Sequence, residues 1–247
     1  MVRSLPVQSM KIRGTRECKD CGHQWSYYDT GSVACPNCES LRSVGLDERT
    51  EHTAGAGTLD LTPQRTTLGD DDVDVDDIAS ELKSTLREYL RQRGFIHGGE
   101  LRPLDDTFLA AHELLQTVDV YARARDPTDD ERLYVLSLVR GADQGERPSV
   151  DDAPESMRAA RGLAYAKAVS AYRRDLVTWL EDHPDANART TLGALADHVK
   201  RAESLQGDVS LQTSERIVQT ARDLGEYLVD GDETALVTAQ DRLSRLE

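Results

Sequence analysis

Cys18-Lys19-Asp20-Cys21 and Cys35-Pro36-Asn37-Cys38 form a C-x2-C-x13-C-x2-C pattern that uses every cysteine of the 247-residue chain. Thiolates are soft ligands, and two such pairs across a strand-length insertion have the spacing of a tetrahedral four-thiolate metal site. Two residues between ligands let each pair close into a tight knuckle with backbone amides aimed at the sulfurs, and Gly22 supplies a permissive turn after the first. The chemistry expected is structural. Four thiolates complete the coordination of one zinc ion and leave no open position for a substrate. Two other readings compete: a mononuclear iron site, which uses similar knuckles, and a pair of disulfides, each closing a small strained ring. Zinc on Cys18, Cys21, Cys35 and Cys38 is the expectation carried forward.

The elements that would position these ligands are short. Residues 23–28 alternate as a strand, Asp29-Thr30-Gly31-Ser32 turns, and Val33 leads back; residues 11–17 and 41–46 flank them. A small β zinc ribbon of about three strands over 10–50 follows. Such a module has too little apolar core to fold alone, whereas structural zinc supplies about 10–16 kcal/mol of apparent binding energy at neutral pH. Alternation puts Trp25 and Tyr27 on one face, covering Ile12, Val33 and Val44, and Tyr28 on the other. The alternative is an exposed aromatic platform for a base or a partner side chain. His23 and His52 lie close by, but four cysteines already saturate the metal, so both are expected to face solvent.

Residues 1–9 read as a tail, with Met10 an alternative start. Residues 51–77 read as an acidic, flexible linker, because Gly55, Gly57, Pro63 and Gly69 accompany the run Asp70-Asp71-Asp72-Val73-Asp74-Val75-Asp76-Asp77, whose charges repel. Its one apolar patch, Leu59-Asp60-Leu61-Thr62-Pro63, is free to dock on either neighbour. From 78 to 247 helical spacing predominates. Seven helices are predicted, over about 78–94, 106–125, 128–140, 152–184, 188–205, 211–228 and 233–246, with no strand between them. Residues 78–247 are therefore expected to form a mainly α domain large enough to bury its own core.

Charge sharpens this division. The chain carries −15, from 28 Asp and 17 Glu against 5 Lys and 25 Arg; residues 1–50 carry +1, 51–80 carry −7 and 81–247 carry −9. A carboxylate-rich, lysine-poor surface suits a cytoplasm of molar salt. The longest apolar runs, such as Phe108-Leu109-Ala110-Ala111, are far short of the roughly 20 residues of a membrane span. The tail has no apolar core of a secretory signal. A cytoplasmic protein without a membrane partner is expected.

Catalytic signatures are missing from the sequence: no G-x-x-x-x-G-K-[ST] loop, no G-x-S-x-G elbow, no H-E-x-x-H. His97-Gly98-Gly99-Glu100 reads as a helix-terminating loop, and His112, His183 and His198 as helix-surface or helix-end residues. No enzyme is expected.

Met10-Lys11-Ile12-Arg13-Gly14, the two knuckles, Trp25-Ser26-Tyr27-Tyr28, Thr30-Gly31-Ser32-Val33 and Leu41-Arg42-Ser43-Val44-Gly45 resemble the haloarchaeal proteins described as transcription factor IIB-type zinc-ribbon-containing. The similarity continues through Leu59-Asp60-Leu61-Thr62-Pro63, Arg102-Pro103-Leu104-Asp105-Asp106 and Arg140-Gly141-Ala142-Asp143, and so covers most of the chain. It implies the four cysteines as zinc ligands. Likeness to the general factor itself is confined to the ribbon, because that factor continues with a basic pair of five-helix repeats, and Glu39 stands where many second knuckles have glycine. The function expected is a zinc-binding, non-catalytic interaction or regulatory protein whose helical domain binds a protein partner. The runner-up is a transcription-related ribbon contacting nucleic acid or RNA polymerase through Arg13, Arg16, Lys19, Arg42 and Arg49, which requires these cations to share a face with Trp25 or Tyr28. An enzyme with its site between helices is the third reading.

Overall fold

Short alternating segments around the cysteines pair as strands, and most of the chain beyond them is helical. The structure, a computed structural model, describes residues 10–70 and 72–246; the expected tail over 1–9 lies outside them. β1 (Met10–Ile12), β2 (Thr15–Cys18), β3 (Gln24–Ser26), β4 (Ser43–Gly45) and β5 (Thr50–His52) make two antiparallel sheets. β2 is central in the three-stranded one, with Arg16 opposite Trp25 on β3 and Glu17 opposite Val44 on β4. β1 and β5 form a separate pair with Lys11 opposite Glu51.

The strand expected over 23–28 stops early. Ser26 Oγ accepts from the Asp29 N–H and starts a single helical turn, α1 (Tyr27–Thr30), closed by Gly31 at φ 64°. That turn takes Tyr27 and Tyr28 out of the alternation. Trp25 alone packs on Cys18 and Cys35, its indole N–H donating to the Ser32 carbonyl at 3.0 Å, and Val33 is exposed.

Residues 51–77 differ from the expected linker. β5 occupies their start, Leu59 and Leu61 are buried against the helices, and α2 (Thr62–Thr67) follows with Pro63 in its first turn. The Leu61 N–H donates to Asp143 at 3.1 Å and Arg65 pairs with the same carboxylate at 2.8 Å. The two motif segments Leu59-Asp60-Leu61-Thr62-Pro63 and Arg140-Gly141-Ala142-Asp143 thus meet in space. Part of the Asp run has a local use: Asp74 and Asp77 form a capping box at the start of α3 (Val75–Gln92), and Asp74 also pairs with Arg132 at 2.9 Å.

The seven expected helices are present as α3 and as α4 (Asp106–Tyr121), α5 (Asp129–Gly141), α6 (Glu155–Asp182), α7 (Ala186–Ser204), α8 (Leu211–Asp230) and α9 (Glu233–Ser244). Asp105, Thr128, Asp185, Ser210 and Asp232 cap five of them. The expectation of no strand is corrected by a hairpin between α3 and α4, β6 (Ile96–His97) with β7 (Glu100–Leu101), where Gly98 and Gly99 take φ 60° and 88°. Two successive positive φ values are the demand of a two-residue hairpin turn, which glycine meets without strain.

α6 packs on α4, α7 and α8. Ala160, Ala164 and Ala168 on it are buried, and Gly162 meets the turn after α7 so closely that a methyl there would lie 2.3 Å from the Gly207 carbonyl oxygen. Two apolar clusters flank this helix, one built on Phe95, Phe108, Tyr172 and the inner faces of α7, α8 and α9, the other on Leu61, Leu82, Leu114 and Leu138. No helix among the described residues is long and apolar enough to cross a membrane.

Candidate metal centre

Each C-x2-C pair folds into the same backbone turn. The Cys18 N–H donates to the His23 carbonyl at 2.9 Å and the Gly22 N–H returns to the Cys18 carbonyl at 3.0 Å; Cys35 with Ser40 and Glu39 with Cys35 repeat this at 2.9 and 2.8 Å. The equivalent positions Gly22 and Glu39 both adopt positive φ, 73° and 59°. Glu39 therefore stands in the left-handed conformation without a glycine's freedom. The Lys19 N–H donates to the Arg42 carbonyl at 2.8 Å and fixes the first knuckle to the segment entering β4.

The four sulfurs all lie within 4.8 Å of one another, with Cys18 facing Cys38 and Cys21 facing Cys35 at 3.6 Å. Zn–S bonds of about 2.3 Å in a tetrahedron set sulfurs about 3.8 Å apart. All four cysteines are free, and the two cross-knuckle separations are well beyond the about 2.05 Å of a disulfide. Cys18 and Cys35 are buried, Cys21 and Cys38 exposed. The Asp20 N–H donates to Cys18 Sγ at 3.4 Å and the Asn37 amide to Cys21 Sγ at 3.7 Å. The His23 backbone amide, then Asn37, pulls the Cys21 thiol down to about 6. The Ser40 amide favours the Cys38 thiolate as well, yet the crowding thiols of Cys21 and Cys18 push it up to about 12. Four sulfurs this close lose their protons together only against a cation, and the donor set suits a soft, tetrahedral one. All four predicted ligands converge. His23 is exposed as expected.

His52 is a correction: it is half-buried, its ring 4.7 Å from Tyr28 and 5.2 Å from His97, with the Gly98 N–H donating to its Nδ1 at 3.2 Å. Burial, helped by His97, holds it below the usual histidine range. Tyr28 shares its hydroxyl with Thr50 at 2.6 Å and donates to the Ile12 carbonyl at 3.2 Å, so it joins β1 to β5 and faces the hairpin. His97 lies 3.5 Å from Asp29 across a cleft of about 490 Å³ that also takes in Arg93, Arg102 and Asp105. Beside it, half-buried Asp175 on α6 accepts from Thr53 Oγ1 and the Phe95 N–H, both at 2.6 Å. These contacts seat the cysteine module on the helices.

The predicted cations divide. Lys19 pairs with Glu17 at 3.8 Å and Arg42 with Asp20 at 2.7 Å, near the knuckles. Arg13, Arg16 and Arg49 instead line one cleft of about 730 Å³ together with Lys11, Tyr27 and Val44. The aromatic residue they share is Tyr27, not the expected Trp25 or Tyr28.

In the helical domain a buried network went unread. Glu113, with no exposed surface, receives the Tyr134 hydroxyl and lies 3.4 Å from the guanidinium of Arg161, which also reaches Glu215 at 3.0 Å and the Pro148 and Ser149 carbonyls at 3.1 and 3.2 Å. Burial raises the Glu113 carboxyl despite Arg161. The one available signal was Arg161 falling within the buried stripe Met157, Ala160, Ala164, Ala168 of α6. His112, expected on a helix surface, packs edge-on to Phe108 at 4.7 Å with its Nδ1 shut from solvent and unpartnered, and burial holds it down to about 3. His183 does end a helix, stacked on Trp179 at 3.8 Å.

No curated protein and no solved structure matches the chain. A family model matches residues 10–243, spanning the cysteine module and nearly all of the helices. The chain belongs to DUF7117, a family of unknown function.

Proposed function

We propose that the protein is a non-catalytic interaction or regulatory protein in which Cys18, Cys21, Cys35 and Cys38 hold one structural zinc ion and the helical domain binds a protein partner. The observation that carries this reading is the convergence of four sulfurs, all within 4.8 Å of one another. Bound there, zinc would offset half of the four thiolate charges and tie the end of β2 to the second knuckle; four protein ligands would leave it no position for a substrate. The chain's own residues do the rest. Trp25 covers the buried sulfurs, and Lys19 and Asp20 brace the first knuckle against Arg42. The sequence resemblance supports a ribbon of the transcription factor IIB type, and the scarcity of lysine supports a high-salt cytoplasm.

Mass spectrometry under native conditions is expected to find one zinc per chain, and Cys35→Ser to unfold the module while far-UV circular dichroism keeps nearly all of its helical signal. Two metals per chain, or none after reconstitution under reducing conditions, overturns the assignment. Affinity purification from lysate at native salt then tests the partner. The transcription-related reading does not meet its own condition, since Lys19 and Arg42 stay at the knuckles and neither Trp25 nor Tyr28 joins the other cations; what it leaves is the grouping of Arg13, Arg16 and Arg49 beside Tyr27.

A further inference from the structure

The cleft beside β1 stands out against the chemistry of the whole chain. Acids outnumber bases 45 to 30, yet the cleft is lined by Lys11, Arg13, Arg16 and Arg49 without a carboxylate. Lys11 is the neutralised member, held by Asp182 of α6 at 2.7 Å. Among the described residues the other three reach only uncharged acceptors or none: Arg13 donates to the Gly45 carbonyl at 3.3 Å and Arg16 to Ser43 Oγ at 2.9 Å. Arg16 is thereby oriented and keeps its charge. Arg13 and Arg49 flank the Ile12–Thr50 pair at the same end of the β1–β5 ladder, where like charges repel. Cations kept together at that cost, in a chain with acids to spare, mark a place for an external anion. Tyr27, Ile12, Val33 and Val44 give the cleft an aromatic and apolar wall.

We infer that this cleft binds single-stranded nucleic acid, with Arg13, Arg16 and Arg49 on successive phosphates and the Tyr27 ring stacked on a base. Guanidinium forks match phosphate oxygens in bidentate fashion, and base-on-aromatic stacking is the sequence-tolerant half of single-strand recognition. An acidic peptide would use the cations and leave the Tyr27 wall without a role. A duplex is a poorer fit, since the longest helix in the cysteine module is the four-residue α1 and the β1–β5 ribbon has three residues a side, both too short to follow a major groove. The inference goes beyond the proposed zinc-held module and stands whichever metal the thiolates hold.

The test is fluorescence anisotropy of the full chain with end-labelled oligouridine and oligothymidine of twelve nucleotides, over a salt range in which circular dichroism shows the protein folded. Three phosphate contacts predict a slope of log K against log salt of roughly −2. Arg13→Gln with Arg49→Gln, both exposed side chains, is expected to weaken binding at least tenfold and to flatten the slope to about a third. Tyr27→Leu is expected to weaken it about tenfold with the slope unchanged, and Tyr27→Phe to restore it. Arg125→Gln with Arg201→Gln, removing equal charge from exposed positions outside the cleft, is expected to change it less than twofold. The inference is overturned by the absence of binding, by equal losses in the two charge variants, or by an aspartate-rich twelve-residue peptide binding as tightly as the oligonucleotides with Tyr27→Leu neutral.

Discussion

Replacing Arg161 by leucine is expected to destabilise the helical domain far more than neutralising its partner. The Arg161 side chain is 3% exposed and Glu113 is fully enclosed, with Glu113 Oε2 already lacking a partner. Arg161→Leu strands the carboxylate beside the Tyr134 hydroxyl and leaves the Pro148 and Ser149 carbonyls without their donor. Breaking a buried pair from one side costs about 3–5 kcal/mol. Glu113→Gln keeps an acceptor for Tyr134 and leaves Arg161 with Glu215 and both carbonyls, so about 1–2 kcal/mol is expected. The double variant Glu113→Leu with Arg161→Leu removes both charges and should lie closer to the wild type than Arg161→Leu does. Urea unfolding followed by circular dichroism reads all three. The sign of the pH effect is a further check. Glu113's folded pKa is raised, so its protonated form favours the fold: that stability is complete below the ordinary value of 4.5 and is lost as pH rises through the folded pKa. Without Arg161 the carboxyl rises further, and the Arg161→Leu deficit should shrink as pH falls from 7 toward 5. Equal losses for the two single variants, with no dependence on pH, would refute the claim that Arg161 supports a buried Glu113 carboxyl.

Two other outcomes follow from local geometry. Glu39→Gly relieves a left-handed residue at φ 59°, a gain of about 1–2 kcal/mol offset by roughly 0.5–1 of glycine's entropy, so the second knuckle should resist thermal unfolding and chelators slightly better than the wild type. Leu61→Ala removes a fully buried side chain where an extended linker would tolerate it, and a loss of about 2–5 kcal/mol in urea unfolding is expected; a neutral result would return residues 51–77 to the linker reading.

What was legible in the sequence was whatever a repeating period or a fixed spacing records. The knuckles are local, with each turn closed inside six residues: the first is the turn of the β2–β3 hairpin, and only β3 and the single turn α1 separate it from the second. The seven helices announce themselves by apolar spacing, and all but α6 by an Asp, Ser or Thr cap. Features with shorter signals were lost to stronger neighbours. Asp70 to Asp77 coloured a segment that also carries buried Leu59, Leu61 and Val75. Gly98-Gly99 was a hairpin signal, read as a helix stop because two flanking residues on each side are too few to show alternation. Ser26 was a helix cap in what looked like a strand, and that one residue moved Tyr27 and Tyr28 to different surroundings.

The sorting of the cations depended on pairing that no local spacing encodes. Arg13, Arg16, Lys19, Arg42 and Arg49 are interchangeable as a charge count, and their sum over residues 1–50 is a bland +1. The β1–β5 register, with Ile12 opposite Thr50, carries Arg13 and Arg49 to one end, while the β2–β4 register, with Cys18 opposite Ser43, sends Arg42 back to the knuckle and its Asp20. A one-residue slip would turn each strand's side chains to the other face and dissolve the cleft. Tyr28, bonded to Thr50 and to the Ile12 carbonyl, is the residue placed to prevent that slip. The cleft therefore draws on two supports: the knuckles fix β2 and β4, which bring Arg16 and Val44 to it, and Tyr28 with the Thr53–Asp175 contact holds the β1–β5 pair against the helices.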